Sequence, residues 1–166
     1  MQRFVTTRER YQEIERRLDA LLEGEPDPVA NAANTAAVIY ECVPDLNWAG
    51  FYFARDTELV LGPFQGRVAC VRIPVGRGVC GTAVAERRTI LVDNVHRFDG
   101  HIACDASSNS ELVVPLLLDD GACLGVIDLD SPHLDRFDDE DREGIERLAA
   151  VWMKHTRLAD LDRTTP

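Results

Sequence analysis

The chain has 166 residues, of which 45% are hydrophobic and 28% are charged, and this composition fits one globular domain with a sizeable core. A formal net charge of −11 disfavours binding to nucleic acid or to an anionic membrane surface, because both partners carry negative phosphate groups. The N-terminus has no apolar signal-peptide core, and the longest apolar run, LVVPLLL, is too short to span a membrane. We therefore expect residues 1–166 to form one domain of a cytoplasmic protein, with no membrane or nucleic-acid partner.

The first two predicted elements are helices that together cover residues 7–42. Residues 7–24 place apolar side chains at helical spacing, and Thr6 with Glu9 has the form of a capping box. The second helix begins at Asp27-Pro28, a cap followed by proline at the first helical position, and extends to about residues 40–42.

An aromatic strand, NWAGFYFAR, follows the helices. Its alternation places Ala49, Phe51 and Phe53 on one face and Trp48, Gly50 and Tyr52 on the other. One interpretation is a strand buried on both faces. The other is an open shelf over the glycine, flanked by Trp48 and Tyr52, that suits a small amphipathic ligand.

The next segment is predicted to continue the sheet. A turn at Asp56-Thr57 pairs the aromatic strand with a short strand over residues 59–61. Glycine and proline over residues 62–66 predict a break in the chain, and residues 68–73 predict a third strand that carries Cys70.

Gly76, Gly78 and Gly81 match the pattern G-x-G-x-x-G, but a dinucleotide site is not predicted. That site requires an acidic residue at the end of the following strand, whereas the candidate here, Asp99, falls in a loop. A glycine-rich entry to a short helix instead offers N–H groups to an anion such as a carboxylate. Cys80 lies at this helix start, where the helix dipole is expected to lower its pKa.

A polar segment, GHIACDASSNSE at residues 100–111, separates a predicted strand at residues 89–92 from an apolar run at residues 112–118. Its chemically active side chains are His101, Cys104, Asp105 and Glu111. Long polar loops in compact domains are more often functional than idle, although a surface loop with an incidental cysteine has the same composition.

The last strands form a predicted hairpin, with Asp119-Asp120-Gly121 between residues 112–118 and 122–130. In the second strand, alternation predicts two sets of side chains on opposite faces: Cys123, Ile127 and Leu129 on one, and Leu124, Val126, Asp128 and Asp130 on the other. Aspartate is depleted in strands, so the second face is either solvated or a paired-carboxylate site beneath the polar loop.

A final helix is predicted over residues 138–160, with Ile145, Leu148, Ala149, Trp152 and Ala159 along one side. Hairpin-linked strands over residues 47–130 predict an antiparallel sheet, with helices mainly on one face and a pocket under loops on the other. The fold class is therefore α+β.

Five cysteines are present: Cys42, Cys70, Cys80, Cys104 and Cys123. The odd number and the absence of C-x-x-C spacing favour reduced thiols and argue against a zinc ribbon. His96, His101 and Cys104 lack a second ligand pair at finger-like spacing, so no metal site is predicted.

Several of these segments together resemble the free methionine-(R)-sulfoxide reductase family, whose fold is a GAF domain. The matching blocks are NWAGFY, LGPFQG, ACVRIPVGRGVCGTA, DNVHRFDGHIACDASSNSE, GVIDLDSP and RFDDED. The two N-terminal helices also stand where that family has them, and the three cysteines of the family match Cys70, Cys80 and Cys104.

The resemblance implies a thiol-dependent reductase of free methionine sulfoxide, with a role under oxidative stress. Cys104 would attack the sulfoxide sulfur and become a sulfenic acid, and Cys70, or Cys80 in its place, would condense with it to a disulfide. Thioredoxin, itself reduced with NADPH, would be the external reductant, and no cofactor would be bound. The family also implies a homodimer and a preference for the R epimer.

The chemistry of this reaction suggests roles for the remaining site residues. Glu111, Asp128 and Asp130 would share two tasks, protonating the sulfoxide oxygen and binding the substrate ammonium, and which carboxylate carries the proton is left open. Trp48 and Tyr52 would enclose the S-methyl group. Two alternatives remain: a GAF module that binds a small molecule without catalysis, and a redox sensor that uses the same cysteines.

Overall fold

The computed structural model describes residues 6–104 and 106–166, and Asp105 therefore lies outside the described residues. Within them the helices are α1 (Thr7–Leu22), α2 (Pro28–Cys42), α3 (Gly78–Glu86) and α4 (Asp139–His155), with short 3-10 helices at Val95–Arg97 and Leu158–Asp160. The strands are β1 (Trp48–Arg55), β2 (Glu58–Gly66), β3 (Arg72–Pro74), β4 (Ile90–Val92), β5 (Ser110–Leu117) and β6 (Cys123–Ser131). None of the described helices has the length and apolar character needed to cross a membrane.

The strands form a single sheet in the order β3-β2-β1-β6-β5-β4, and every neighbouring pair is antiparallel. β1 and β6 occupy the centre, so residues of both strands are covered from above and below. The predicted α+β class with an antiparallel sheet is confirmed.

The two faces of the sheet carry different layers. On one face α1, α2 and α4 enclose the larger core, in which Phe51 and Phe53 of β1 pack against Trp152 of α4. On the other face α3 and the connecting loops cover a smaller cluster that includes Trp48 and Tyr52. β1 follows the predicted alternation and is buried on both faces.

Local capping signals place the helix starts. The capping box between Thr6 and Glu9 is present, Asp27 caps α2, and Asp138 with Asp141 forms a second capping box at α4. Two predicted helix ends are wrong: α1 ends at Leu22, and α4 ends at His155 instead of residue 160.

The early end of α4 has a visible cause in the packing against α2. The Arg157 N–H donates to the Pro26 carbonyl at 2.9 Å, and the Asn31 side chain donates to the Thr156 hydroxyl at 3.1 Å. Both contacts require an extended backbone after the helix. Ala159 consequently lies in the exposed 3-10 helix and not on the buried side of α4.

β2 and β3 differ from their predicted extents. β2 continues through residues 62–66, where a break was expected, because the β1–β2 register shifts between Gly50 and Tyr52 and the irregularity accommodates Pro63. β3 is limited to Arg72–Pro74, so Cys70 lies in a loop and not in a strand.

Gly125 changes the face to which the start of β6 points. The β5–β6 register shifts opposite this glycine, whose φ of +148° is favoured only for glycine. Cys123 therefore packs in the smaller cluster and Leu124 in the larger one, which makes the predicted placement of Cys123 beside Ile127 and Leu129 wrong. Beyond the bulge, Ile127 and Leu129 face the larger core, and Asp128 faces the pocket described below.

We expect Gly125→Ala to destabilise the protein by about 3 kcal/mol or more. Alanine would be strained at the positive φ of this position, and its Cβ would also clash with a neighbouring backbone atom. A Cβ at this position would stand 2.1 Å from the Tyr52 carbonyl oxygen. Urea unfolding measures the change. Gly24→Ala is the control, because Gly24 also has a positive φ but meets no atom within 4 Å. Equal losses for both variants would contradict the steric account.

Candidate active site

Cys70 and Cys104 are joined by a disulfide bond, with their Cα atoms 5.4 Å apart. The expectation that the described thiols are all reduced is therefore wrong for this pair, whereas Cys42, Cys80 and Cys123 are free. The bond links residues 67–72, called here the Arg67–Arg72 loop, to the loop that precedes β5. The Arg67–Arg72 loop leads from β2 to β3, and its last residue is the first residue of β3. The structure therefore represents an oxidised form of the protein.

A narrow pocket with a cavity volume of about 40 Å³ lies under α3 and the Cys104 loop. Cys104 is on its wall, whereas Cys70 is not among the described residues that line it. The lining residues are Trp48, Tyr52, Val68, Ala69, Ile73, Gly78, Val79, Cys80, His101, Ile102, Cys104, Ser108, Glu111, Asp128 and Asp130. One sulfur of the disulfide thus belongs to the pocket, and its partner belongs to the outer loop.

Three carboxyl groups meet at the floor of the pocket because of the β5–β6 register. Glu111 pairs directly with Asp130, and Asp128 pairs with Val113, two residues along from Glu111 on the same face. Glu111 is therefore part of β5 and not of the polar loop in which the sequence placed it. Glu111 and Asp128 are each only 6% exposed, and Oδ1 of Asp128 has no hydrogen-bond partner among the described residues.

Burial changes the protonation of these carboxyl groups. It raises the pKa of Asp128 to about 6. It also raises the pKa of Glu111 well above its ordinary value, and the nearby charges of Asp128 and Asp130 add to that rise. Of these two groups, Glu111 therefore keeps its proton to the higher pH.

Cys80 lies in the first turn of α3, but its pKa is raised and not lowered. The thiol is 3% exposed, its sulfur is 3.9 Å from Oε1 of Glu111, and burial followed by the charges of Asp128 and Glu111 opposes ionisation. The helix dipole, on which the prediction rested, is weaker than these effects.

Cys80, Glu111 and Asp128 also form the tightest group of possible metal ligands among the described residues. One ligand atom of each lies within 4.8 Å of the others. Burial raises the pKa of both Cys80 and Glu111, which favours their protonated forms, so a metal ion would have to displace these protons to bind.

The aromatic wall of the pocket is supported by one ring that the sequence did not predict. Trp48 stacks between Tyr52, at 5.8 Å between ring centroids, and Phe64 of β2, at 5.2 Å. A Cβ on Gly50 would stand 2.3 Å from Cβ of Phe64, so the predicted open shelf over this glycine is filled. Phe64 was missed because residues 62–66 were expected to interrupt the sheet.

His101 closes the carboxyl end of the pocket. Its Nε2 lies 3.8 Å from Oε2 of Glu111, and burial lowers its pKa. The lowered pKa favours the neutral imidazole, so His101 does not add a positive charge that would favour ionised Glu111. Ile102, the next residue, packs against Gly78 and covers the start of α3.

The chain matches the GAF domain family model over residues 33–151. It is 55% identical over 150 residues to a protein of Escherichia coli named free methionine-R-sulfoxide reductase, with 90% of each chain covered. This chain belongs to the free methionine-R-sulfoxide reductase family.

Two solved structures of that family are also similar, and both carry the name in their descriptions. The enzyme of Neisseria meningitidis in complex with its substrate has a TM-score of 0.90 at 42% identity, with 96% of each chain covered. The reduced form of the Staphylococcus aureus enzyme has a TM-score of 0.85 at 46% identity, covering 93% of this chain and 99% of that one.

In this member of the reductase family, the polar ends of Trp48 and Tyr52 hold the loop that carries Cys70. The Trp48 indole N–H donates to the Arg67 carbonyl at 3.1 Å, and the Tyr52 hydroxyl donates to the Cys70 carbonyl at 2.8 Å. These two bonds fix the backbone of the loop at both sides of Val68. Aromatic residues that the sequence assigned to ligand contact therefore also position a cysteine.

We expect Tyr52→Phe to decrease the equilibrium constant for closing the Cys70–Cys104 disulfide about fivefold, since one hydrogen bond contributes about 1 kcal/mol. Equilibration with dithiothreitol mixtures, followed by thiol counting, measures this constant. Tyr11→Phe is the matched control, because the Tyr11 hydroxyl donates to Asp141 on the opposite side of the sheet. A Tyr52→Phe constant equal to that of wild type would show that the bond does not position Cys70.

Proposed function

We propose that this protein reduces free L-methionine (R)-S-oxide to L-methionine by thiol chemistry. One observation carries the proposal: Cys104 lies on the wall of a pocket that has buried carboxyl groups at its floor, and its sulfur is bonded to Cys70 outside the pocket. This arrangement fits a nucleophile that contacts the substrate inside the pocket and a second thiol that reaches the sulfur of that nucleophile from outside the pocket.

In the proposed first step the thiolate of Cys104 attacks the sulfoxide sulfur. The sulfoxide oxygen is transferred to the cysteine and takes up a proton, so that methionine departs and Cys104 becomes a sulfenic acid. The Cys70 thiol then attacks the sulfenic sulfur, water leaves, and the disulfide forms. Cα atoms 5.4 Å apart satisfy the geometry that this second step requires.

Glu111 is the proposed proton donor. The sequence leaves three carboxyl groups open for this role, but burial and the charges of Asp128 and Asp130 raise the pKa of Glu111 well above its ordinary value, which favours its protonated form. A neutral carboxylic acid in a buried site can donate to an oxygen that gains negative charge in the transition state.

The other groups fit the two ends of a free amino acid. Ionised Asp128, whose Oδ1 has no other described partner, would accept the substrate ammonium, and the charge of Asp130 would strengthen the attraction. The first turn of α3 borders the pocket and offers N–H groups to the substrate carboxylate. Trp48 and Tyr52 would contact the S-methyl group. A methionine sulfoxide within a peptide lacks this ammonium and would leave a buried carboxylate unpaired.

Reducing equivalents would come from outside the protein. The proposed chemistry needs only thiols and carboxyl groups, and a dithiol protein such as thioredoxin, itself reduced with NADPH, would reopen the disulfide. A cytoplasmic location follows from this requirement, because dithiol recycling needs a reducing compartment. The homodimer implied by the family resemblance stays a prediction.

The test is NADPH consumption in the presence of thioredoxin and thioredoxin reductase, with three substrates offered separately. We expect steady turnover with free L-methionine-(R)-sulfoxide, and none with the S epimer or with a peptide-bound sulfoxide. A sensor that is oxidised once would consume one equivalent and stop. Absence of turnover from fully reduced, folded protein would reject the reductase proposal in favour of a ligand-binding or redox-sensing GAF domain.

A further inference from the structure

The surface around Cys70 differs in charge from the rest of this acidic chain. From Leu59 to Ala85 the sequence has three arginines, Arg67, Arg72 and Arg77, and no aspartate or glutamate. Arg72 forms an ion pair with Glu58. Arg67 and Arg77 have no ion-pair partner in residues 6–104 and 106–166. In a protein with a net charge of −11, the segment that contains Cys70 thus carries only positive charges.

The same surface is apolar at its centre. Val68 and Val71 are 87% and 60% exposed, and they stand on either side of Cys70. These two valines give the loop a small apolar surface that a partner protein can cover, and they flank the bond that must be reduced in every proposed cycle.

The two cysteines of the disulfide have different surroundings, although both are partly buried. Cys104 lines the pocket, whereas Cys70 stands between two exposed valines and is not among the described residues lining the pocket. A partner protein that covers these valines therefore meets Cys70, and access decides which sulfur is attacked.

We propose that the Arg67–Arg72 loop is the docking surface for a dithiol reductant protein with an apolar rim and net negative charge, and that this reductant attacks Sγ of Cys70. The inference rests on the proposed function, since it supplies the step that closes the cycle. The reductant thiolate bonds to Cys70 and the Cys70–Cys104 bond breaks. Cys104 leaves as a thiolate, ready for the next sulfoxide. The second reductant thiol then displaces Cys70, which takes a proton, so two electrons have passed to the disulfide.

The attacked sulfur can be identified without any sulfoxide. Oxidised protein is mixed with a thioredoxin variant whose second active-site cysteine is serine, so that the mixed disulfide persists, and the adduct is digested with trypsin. Cleavage after arginine separates Cys70, on the peptide of residues 68–72, from Cys104, on the peptide of residues 98–136. We expect the adduct on residues 68–72. An adduct on residues 98–136 would overturn the assignment.

The docking surface is tested with the double variant Arg67→Glu/Val71→Glu, in which neither residue lines the pocket. We expect the KM for thioredoxin to rise about tenfold, while turnover with dithiothreitol and the KM for the sulfoxide stay unchanged. The control is Val29→Glu/Arg163→Glu, because Val29 is 61% exposed on α2 and Arg163 is exposed near the C-terminus.

An unchanged KM for thioredoxin in the Arg67→Glu/Val71→Glu variant would reject the surface. Loss of dithiothreitol-driven turnover in wild type would instead reject the proposed function, and the trapping result would still stand.

Ionic strength provides a second readout of the same surface. We expect added salt to raise the KM for thioredoxin in wild type and to have less effect on the Arg67→Glu/Val71→Glu protein, because screening removes an attraction that the variant already lacks. Equal salt dependence in the two proteins would contradict a role for the arginine charge.

Discussion

Cys104→Ser protein is expected to form no methionine from free methionine sulfoxide, with a loss of at least about 10³-fold in rate. A serine hydroxyl has no appreciable anion at neutral pH and is a poor nucleophile toward sulfur, whereas a cysteine supplies a thiolate. The measurement is a single turnover: reduced protein is mixed with excess sulfoxide without any reductant, and methionine is quantified.

Cys70→Ser separates the first chemical step from recycling. This variant keeps Cys104, so we expect one methionine per protein molecule and a sulfenic acid that dimedone labels at Cys104. When thioredoxin and its reductase are added, any continued turnover would come from Cys80, which also lines the pocket, and Cys70→Ser/Cys80→Ala should remove it. Stoichiometric methionine from Cys104→Ser, or none from Cys70→Ser, would reject Cys104 as the nucleophile.

Features encoded within a few residues could be predicted from the sequence. The capping residues Thr6, Asp27 and Asp138 each bind backbone N–H groups two or three positions away, so their effect does not depend on the rest of the fold. The alternation in β1 and the hairpin turn at Asp119-Asp120-Gly121 are local in the same sense. These signals were sufficient for the fold class.

The errors all involve contacts with distant residues. Pro63 was expected to break β2, but a bulge against β1 accommodates it. Cys80 was expected to be acidic because of α3, but β5 and β6 bury it beside Glu111 and Asp128. The space above Gly50 was expected to be open, but Phe64 from the neighbouring strand fills it. Periodicity within one segment contains no information about the segment that packs on it.

The carboxyl site lies between these cases. Glu111, Asp128 and Asp130 fall on one face once the hairpin register is known, but the turn alone does not specify that register. The bulge at Gly125, which was not predicted, shifts the register by one residue, so that Glu111 pairs with Asp130 and not with Leu129. What the sequence could not supply was the protonation of each group, because pKa shifts depend on burial by α3 and the Cys104 loop.

Glu111→Gln is expected to lower kcat for the sulfoxide by roughly 10²- to 10⁴-fold with a smaller change in KM, because the amide keeps the shape but has no acidic proton. Asp128→Asn should show the opposite pattern, mainly a higher KM, since it removes the proposed ammonium partner. Single-turnover rates over a range of sulfoxide concentrations distinguish the two. Glu143→Gln, an exposed position on α4, is the matched control.

The pH dependence of Glu111→Gln gives a test that a purely structural role would not satisfy. The pKa of Glu111 is raised in the folded protein, so the group can donate a proton below that pKa, and activity falls as the pH rises through it. The variant should lose this alkaline fall in activity.

The same pKa shift of Glu111 stabilises the folded state fully below the unfolded pKa of about 4.5, and this stabilisation is lost as the pH rises through the folded pKa. Glu111→Gln protein should therefore lose less free energy of unfolding than wild type between acidic and alkaline pH. A variant that keeps both the alkaline fall and the wild-type pH dependence of unfolding would assign the proton to another group of the pocket.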